Sequence, residues 1–156
     1  MIRKNFALIL TLCLSAFGQT IFAQTKSENI AVQKAELVNS GGYVGSESES
    51  ANIDHLRTAM QNNPNSKGVF VLYRGEICKY GEVEAHIRGL NVSLTGKGWK
   101  TSDFAILQGG YKESFNLEYW MVPENGGLPI PNSTIDIKNV IFKGTFKKRF
   151  VAYDCC

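Results

Sequence analysis

Cys78 and His86 stand eight residues apart, the sparest pair in this chain that could do nucleophilic chemistry, with a thiolate formed beside an imidazole base. No flanking motif accompanies them. The plainer reading, a disulfide cysteine and a surface histidine on a polar helix face, is favoured. The only other histidine is His55, and neither histidine has a metal-ligand partner at standard spacing. No cofactor and no metal site is therefore expected. Gly96-Lys97-Gly98 has a glycine where a phosphate loop needs Ser or Thr, and Gly89 is at the wrong spacing for the upstream glycine, so a helix end is the better reading. Lys143, Lys147, Lys148 and Arg149, interleaved with Phe146 and Phe150, could meet an anionic polymer. A solvated terminal strand explains them as well. Tyr73, Tyr111, Tyr119 and Trp120 could line a binding surface, although aromatic side chains on strands usually serve packing. For a ligand site, Arg74, Glu76 and Arg88 are the best candidates. They fall just after an apolar strand and on the next helix, the usual ligand-bearing edge of an α/β layer.

The elements that would position these residues can be read from periodicity. Ile53, Leu56 and Met60 recur at helical spacing, with a start near Ser46 to Ser50, where Ser46 and Glu49 fit a capping box, and an end at Asn62-Asn63-Pro64. Gly68 to Tyr73 is an apolar run suited to a strand buried on both faces. Val83, Ile87, Leu90 and Leu94 predict a second helix ending at Gly96 or Gly98. Asp103 to Gln108 predicts a strand, followed by a turn at Gly109-Gly110. From Ser114 to Val122 the pattern alternates, with Phe115, Leu117, Tyr119 and Met121 on one face. A Gly- and Pro-rich break runs from Pro123 to Pro131. Beyond it, Ile135 to Phe142 and Phe146 to Tyr153 predict a hairpin around Lys143-Gly144-Thr145. Earlier in the chain, Ala35 to Val38 or Gly42 to Val44 could supply a short first strand.

The compartment comes from the first 23 residues, which read as a secretory signal peptide. Arg3 and Lys4 precede an apolar stretch from Phe6 to Phe17, and Ala23 is a plausible last residue before cleavage. That stretch is shorter than the roughly 20 residues a spanning helix needs, so no membrane span is expected after cleavage. The expected mature chain begins near Gln24 and is long enough for one domain with its own core. Without Arg3 and Lys4 it carries 15 basic against 14 acidic residues, which gives no electrostatic case for nucleic acid. Cys13 leaves with the leader, so Cys78, Cys155 and Cys156 remain for an oxidising compartment. Adjacent Cys155 and Cys156 are too close to bridge comfortably, since a disulfide wants Cα atoms about 4.4–6.8 Å apart and neighbours sit at about 3.8 Å. A bridge from Cys78 to one of them is expected, contributing roughly 2–4 kcal/mol.

From Ser50 to Pro123 the order helix, strand, helix, strand, strand resembles the C-terminal domain of outer-membrane protein A and its relatives, whose fold is β-α-β-α-β-β. Leu90 to Trp99, followed by Thr101-Ser102-Asp103 and a strand, is similar to that family's passage of helix, K-G-I, short loop and strand. Closer still is the likeness to a group of exported bacterial proteins of undescribed function. It rests on Leu56 to Pro64, Gly68 to Tyr73, and Gly109-Gly110-Tyr111 through to Pro123, against that group's L-Q-N-x-P helix end, G-Y-I-I-V-Y-like strand, G-G-Y-R-E and W-x-V-P. The resemblance covers about half of the mature chain and implies a fold, not a site. The classical family binds peptidoglycan through a Thr-Asp pair and an Arg within L-S-x-x-R-A. Here the strand is followed by Tyr73-Arg74-Gly75-Glu76 and the helix reads Glu84-Ala-His-Ile-Arg88, so the motif is not matched and no binding residue carries over.

The sequence thus predicts an exported α/β (α+β) protein. A two-layer sandwich, with two helices on one face of a mixed sheet, is followed by a C-terminal β-hairpin extension. Residues 1–23 form the signal peptide, 24–50 a polar segment, 51–123 the core and 124–156 the extension. The expected role is a non-enzymatic binding or structural module, periplasmic or secreted, whose partner is a cell-envelope polymer or envelope protein. The alternatives are a secreted enzyme using Cys78, or redox sensing by Cys155 and Cys156.

Overall fold

Why the apolar runs become strands and helices is visible in how each one is buried. The computed structural model describes residues 34–42 and 45–147. The central strand is β2 (Lys67–Gly75), whose Val69, Phe70, Val71, Leu72 and Tyr73 are each at most 1% exposed. A run with no polar alternation can be satisfied only by cover on both faces. It receives that cover. Phe70 and Leu72 face a core built with both helices, whereas Val69, Val71 and Tyr73 belong to a second cluster with Val122.

The four-stranded sheet has the order β1-β5-β2-β4, from β1 (Glu36–Gly41), β5 (Asn116–Val122) and β4 (Phe104–Lys112). β5 runs antiparallel to both β1 and β2, while β4 is parallel to β2, so the sheet is mixed. Helices α1 (Ser46–Gln61) and α2 (Glu82–Gly96) share one face. Ile53 and Leu56 of α1 join Val83, Leu90 and Leu94 of α2 over Phe70, Leu117, Tyr119 and Met121. The expected two-layer sandwich with both helices on one side of a mixed sheet is the observed architecture. β1 lies within 24–50 and belongs to the main sheet, as does the first turn of α1 to its helix.

Local departures have local causes. α1 starts from Gly45 with no side-chain cap, so the capping box at Ser46 and Glu49 is not used; Glu47 and Glu49 in the first turn still suit the positive helix end. Gly109 and Gly110 are not a turn. They lie inside β4, where the register against β2 shifts between Leu72 and Tyr73, and the chain reverses only after Lys112. The reason is steric: a Cβ on Gly109 would fall 2.4–2.6 Å from the ring of Tyr73, and Gly110 takes a φ of 96°.

The C-terminal hairpin is also replaced. β6 (Ile141–Thr145) runs through the expected turn, and Phe146 and Lys147 are not in a strand; residues 148–153 lie outside the described part. β6 pairs in parallel with β3 (Ile77–Tyr80), a four-residue strand too short to be seen by periodicity. Ile141 N donates to Glu76 O at 2.8 Å and Phe146 N to Tyr80 O at 2.9 Å, and Tyr80 stacks on Phe142 with centroids 4.5 Å apart. The extension is thereby held by backbone pairing. No helix among the described residues is long and apolar enough to cross a membrane.

Candidate functional site

The three ligand candidates do not form one open site. Arg74 ion-pairs with Glu84 of α2, reaches Gln108 at 3.4 Å and places its guanidinium 5.9 Å from the ring centre of Tyr111. Glu76 is half-buried, and its backbone is bound into the ladders to Glu113 and Ile141. Arg88 is exposed further along α2. The carboxyl edge of β2 is thus occupied by the chain's own ion pair and by the small β3–β6 sheet.

Cys78 is 3% exposed and has no disulfide partner among the described residues. Burial pushes its pKa up, Glu82 adds to that, and Arg74 opposes it. A nucleophile needs the reverse. The imidazole of His86 lies against Phe115 and Phe146, at centroid distances of 4.6 and 5.7 Å. His55 is exposed on α1. Cys155 and Cys156, and with them the expected bridge, lie outside the described residues. So do Lys148 and Arg149, while Lys143 and Lys147 are exposed. No group of three His, Cys, Asp or Glu is gathered among the described residues.

The aromatic candidates are packing residues, and two of them, Tyr73 and Trp120, flank an internal carboxylate. Glu118 of β5 is 8% exposed on the sheet face away from the helices. Tyr73 Oη and Trp120 Nε1 each donate to its Oε2 at 3.0 Å, and Lys112 Nζ donates to Oε1 at 2.6 Å. The Lys112 ammonium also sits 3.9 Å from the ring centre of Tyr73, and Asn132 N donates to Tyr73 Oη at 3.2 Å. Burial, more than the neighbouring Glu118, raises the Tyr73 pKa. A charge this well supplied with donors is a structural tie. It pins the segment after β5 back onto the sheet.

A cleft of about 540 Å³ opens at the opposite edge, beside the starts of β2 and β4 and the ends of both helices. Arg57, Met60, Ser66, Lys67, Trp99 and Asp103 line it. Its key side chain is set by a helix stop. Gly98, at φ 79°, follows the last turn of α2; Gly98 N donates to Thr95 O at 2.9 Å and Trp99 N to Leu94 O at 3.0 Å. These are the paired bonds of a Schellman motif, so Gly96-Lys97-Gly98 is a helix end and it delivers Trp99 to the cleft. Gly68 makes room, because a Cβ there would meet the Trp99 ring at 2.8 Å. Arg57 Nη2 donates to Lys97 O at 2.7 Å with its guanidinium 5.2 Å from the Trp99 ring centre, and Lys97 pairs with Asp54 at 2.8 Å. Asp103 accepts from Ser102 Oγ and Lys100 N, which lower its pKa in that order.

Two polar atoms of this lining have no intramolecular partner. Trp99 Nε1 and Ser66 Oγ are buried and unbonded, on residues that both face the cleft. Such groups are uncommon, since burial without a hydrogen bond costs on the order of 1–3 kcal/mol. Sequence reasoning missed this place because it used Asn62 to Ser66 and Gly96 to Gly98 only as helix stops. The available signal was a tryptophan placed directly after a glycine stop. Comparisons with protein-family models, curated proteins and solved structures find no match to this chain.

Proposed function

We propose that the chain is an exported, non-enzymatic binding module of the cell envelope, and that its ligand enters the cleft beside Trp99. The supporting observation is the cleft itself, walled by Arg57, Lys67, Trp99 and Asp103, two of whose lining residues, Ser66 and Trp99, carry buried polar atoms that no group of the chain satisfies. The export half of the reading rests on the leader, from Arg3 and Lys4 through the apolar stretch to Ala23. The resemblance to outer-membrane protein A-like domains agrees with an envelope location, and the carboxyl edge of β2 is filled by the Arg74–Glu84 pair and the β3–β6 sheet. A thiol-enzyme reading gains nothing from a buried Cys78 whose pKa is raised.

The test is co-sedimentation of the chain from Gln24 onward with isolated envelope fractions. Saturable retention, competed by excess unlabelled protein, is the expected outcome. Retention that never saturates, or none, would refute the proposal.

A further inference from the structure

β4 is an edge strand of the main sheet, and part of its edge is bare. Gly68 N donates to Asp103 O at 2.9 Å, and Gly68, Phe70 and Leu72 stand in register with Phe104, Ile106 and Gln108. In a parallel ladder alternate residues bond to opposite sides. The backbone N–H and C=O of Ala105 and Leu107 therefore turn toward β2, and those of Phe104, Ile106 and Gln108 turn away from the sheet. Among the described residues these outward groups have no partner. Farther along, the chain covers its own edge: Tyr111 N donates to Ser133 Oγ at 3.0 Å, and Tyr111 O accepts from Thr134 N at 2.9 Å. The bare stretch is thus Phe104 to Gln108.

Proteins blunt exposed edges with charge, proline or a bulge. The opposite edge, β1, carries Glu36 and a register shift between Leu37 and Asn39. Phe104-Ala-Ile-Leu-Gln108 carries no charge and no proline, and Asp103 and Lys112 stand just outside it. The strand is also preformed. Phe104 and Ile106 pack on the helix-side core, and Ala105 and Leu107 on the far cluster. The Phe104 ring lies 6.3 Å, centre to centre, from those of Phe70 and Trp99.

We infer that this edge pairs with the same edge of a second copy of the chain, antiparallel, about a two-fold axis at Ile106. The stretch is its own complement. Ile106 meets Ile106 of the second copy and Phe104 meets Gln108, each pair exchanging both backbone bonds. On the far face Ala105 meets Leu107, and no like charges are opposed. Moving the axis to Ala105 or Leu107 would leave Gln108 or Phe104 without a counterpart in the bare stretch. Pairing consumes the β4 edge of both copies, so the assembly closes at a dimer. The surface lies apart from the cleft and does not depend on it.

The test uses the chain from Gln24 onward with Cys155 and Cys156 replaced by serine, so that no disulfide of the tail joins two copies. A ladder this short gives a dissociation constant on the order of 0.1 mM. Sedimentation equilibrium from about 10 μM to about 1 mM should pass from monomer to dimer. Over that range amide exchange at Phe104, Ile106 and Gln108 should slow, with Ala105 and Leu107, bonded to β2, protected throughout. A mixture of labelled and unlabelled chain should show Ala105 Hα close to Leu107 Hα of the other copy, the contact that a centre at Ile106 requires. Ile106→Lys opposes two like charges on the axis and should weaken the dimer at least about tenfold. Gln108→Pro removes an outward N–H that the monomer does not use, so the fold should stand and the dimer weaken about tenfold; where Ile106→Lys unfolds, this variant decides. A monomer at the highest concentration overturns the inference. So does a dimer whose outward amides exchange unchanged, one lacking the Ala105–Leu107 contact, or one that Gln108→Pro leaves intact.

Discussion

Replacing Gly109 by Ala should be among the most damaging single-methyl changes in this protein. The added Cβ would lie 2.4 Å from Tyr73 Cε1 and 2.6 Å from both Cδ1 and Cζ, whereas carbon atoms in contact prefer about 3.5–4.0 Å. The ring would have to retreat by about 1 Å, and it is not free to do so. Tyr73 is 1% exposed, its hydroxyl donates to Glu118 and accepts from Asn132 N, and Lys112 covers its face. Overpacking alone costs about 1–3 kcal/mol. Losing the two hydroxyl bonds adds about 1 kcal/mol each, for a total near 3–5 kcal/mol. With a urea m-value of about 1–3 kcal/mol/M, the unfolding midpoint followed by tryptophan fluorescence should fall by roughly 2 M. The cause can be isolated by a double-mutant cycle. Tyr73→Phe keeps the ring but not the hydroxyl, so it should leave only the overpacking part, about 1–3 kcal/mol, in place; Tyr73→Leu removes the obstructing edge, so Gly109→Ala should cost at least about 2 kcal/mol less there than in wild type. A Gly109→Ala cost within about 0.5 kcal/mol of zero, or an equal cost in both backgrounds, would refute the argument.

Three other perturbations test the buried polar groups. Glu118→Gln turns one oxygen acceptor into a donor facing donors, so it should destabilise by about 2–3 kcal/mol in chemical denaturation, with less than additive loss when combined with Lys112→Met. Burial pushes Tyr119 up from 10.0 to about 12, with Asn52 opposing and Glu49 assisting. Its folded pKa lies above its unfolded one, so the unfolded chain loses this proton first and stability falls as pH rises from 10 to 12, by roughly 2 kcal/mol. Alkaline denaturation of Tyr119→Phe should lack that portion of the decline. With Cys155 and Cys156 replaced by serine, Cys78, also raised by burial, should react with a disulfide reagent more slowly than an exposed thiol in native protein at neutral pH and at the exposed-thiol rate in urea; equal rates in both would show that the site is open.

Periodicity made the main elements legible because their burial is regular. The stripe of Val83, Leu90 and Leu94 and the unbroken run in β2 each allow one solution only. What escaped has a non-periodic cause. β3 and β6 are four and five residues long, too short for a period to show, and their pairing spans more than sixty residues of sequence, which no local pattern encodes. The glycine pair in β4 looked like a turn because a glycine required by a ring across the sheet has the same letter as one required by a backbone reversal. The cleft was invisible for a related reason: Ser66, Lys67 and Trp99 become neighbours through two separate helix stops.

The position of the cleft follows from where the chain spends its extension. In an α/β layer the carboxyl edge of the parallel strands is the usual place for a ligand, because loops and helix N-termini meet there. Here that edge of β2 and β4 is closed from two sides. Arg74 is drawn to Glu84, Gln108 and Tyr111, and the backbone of Glu76 is built into the ladder that holds β6. Ser133 then closes over Gly110, bonding Tyr111 N at 3.0 Å. Arg74 and the Glu76 backbone are bonded internally there, whereas Glu84 Oε2 is buried without a hydrogen-bond partner. At the amino edge the helices stop instead of starting. The Schellman turn uses backbone donors to satisfy the last carbonyls of α2, and Arg57 takes the Lys97 carbonyl. What those bonds leave over is Trp99 Nε1, Ser66 Oγ and the Lys67 ammonium. The two edges thus differ in kind: the carboxyl edge leaves an acceptor, Glu84 Oε2, without a partner, and the amino edge leaves the Trp99 indole N–H and the Ser66 hydroxyl.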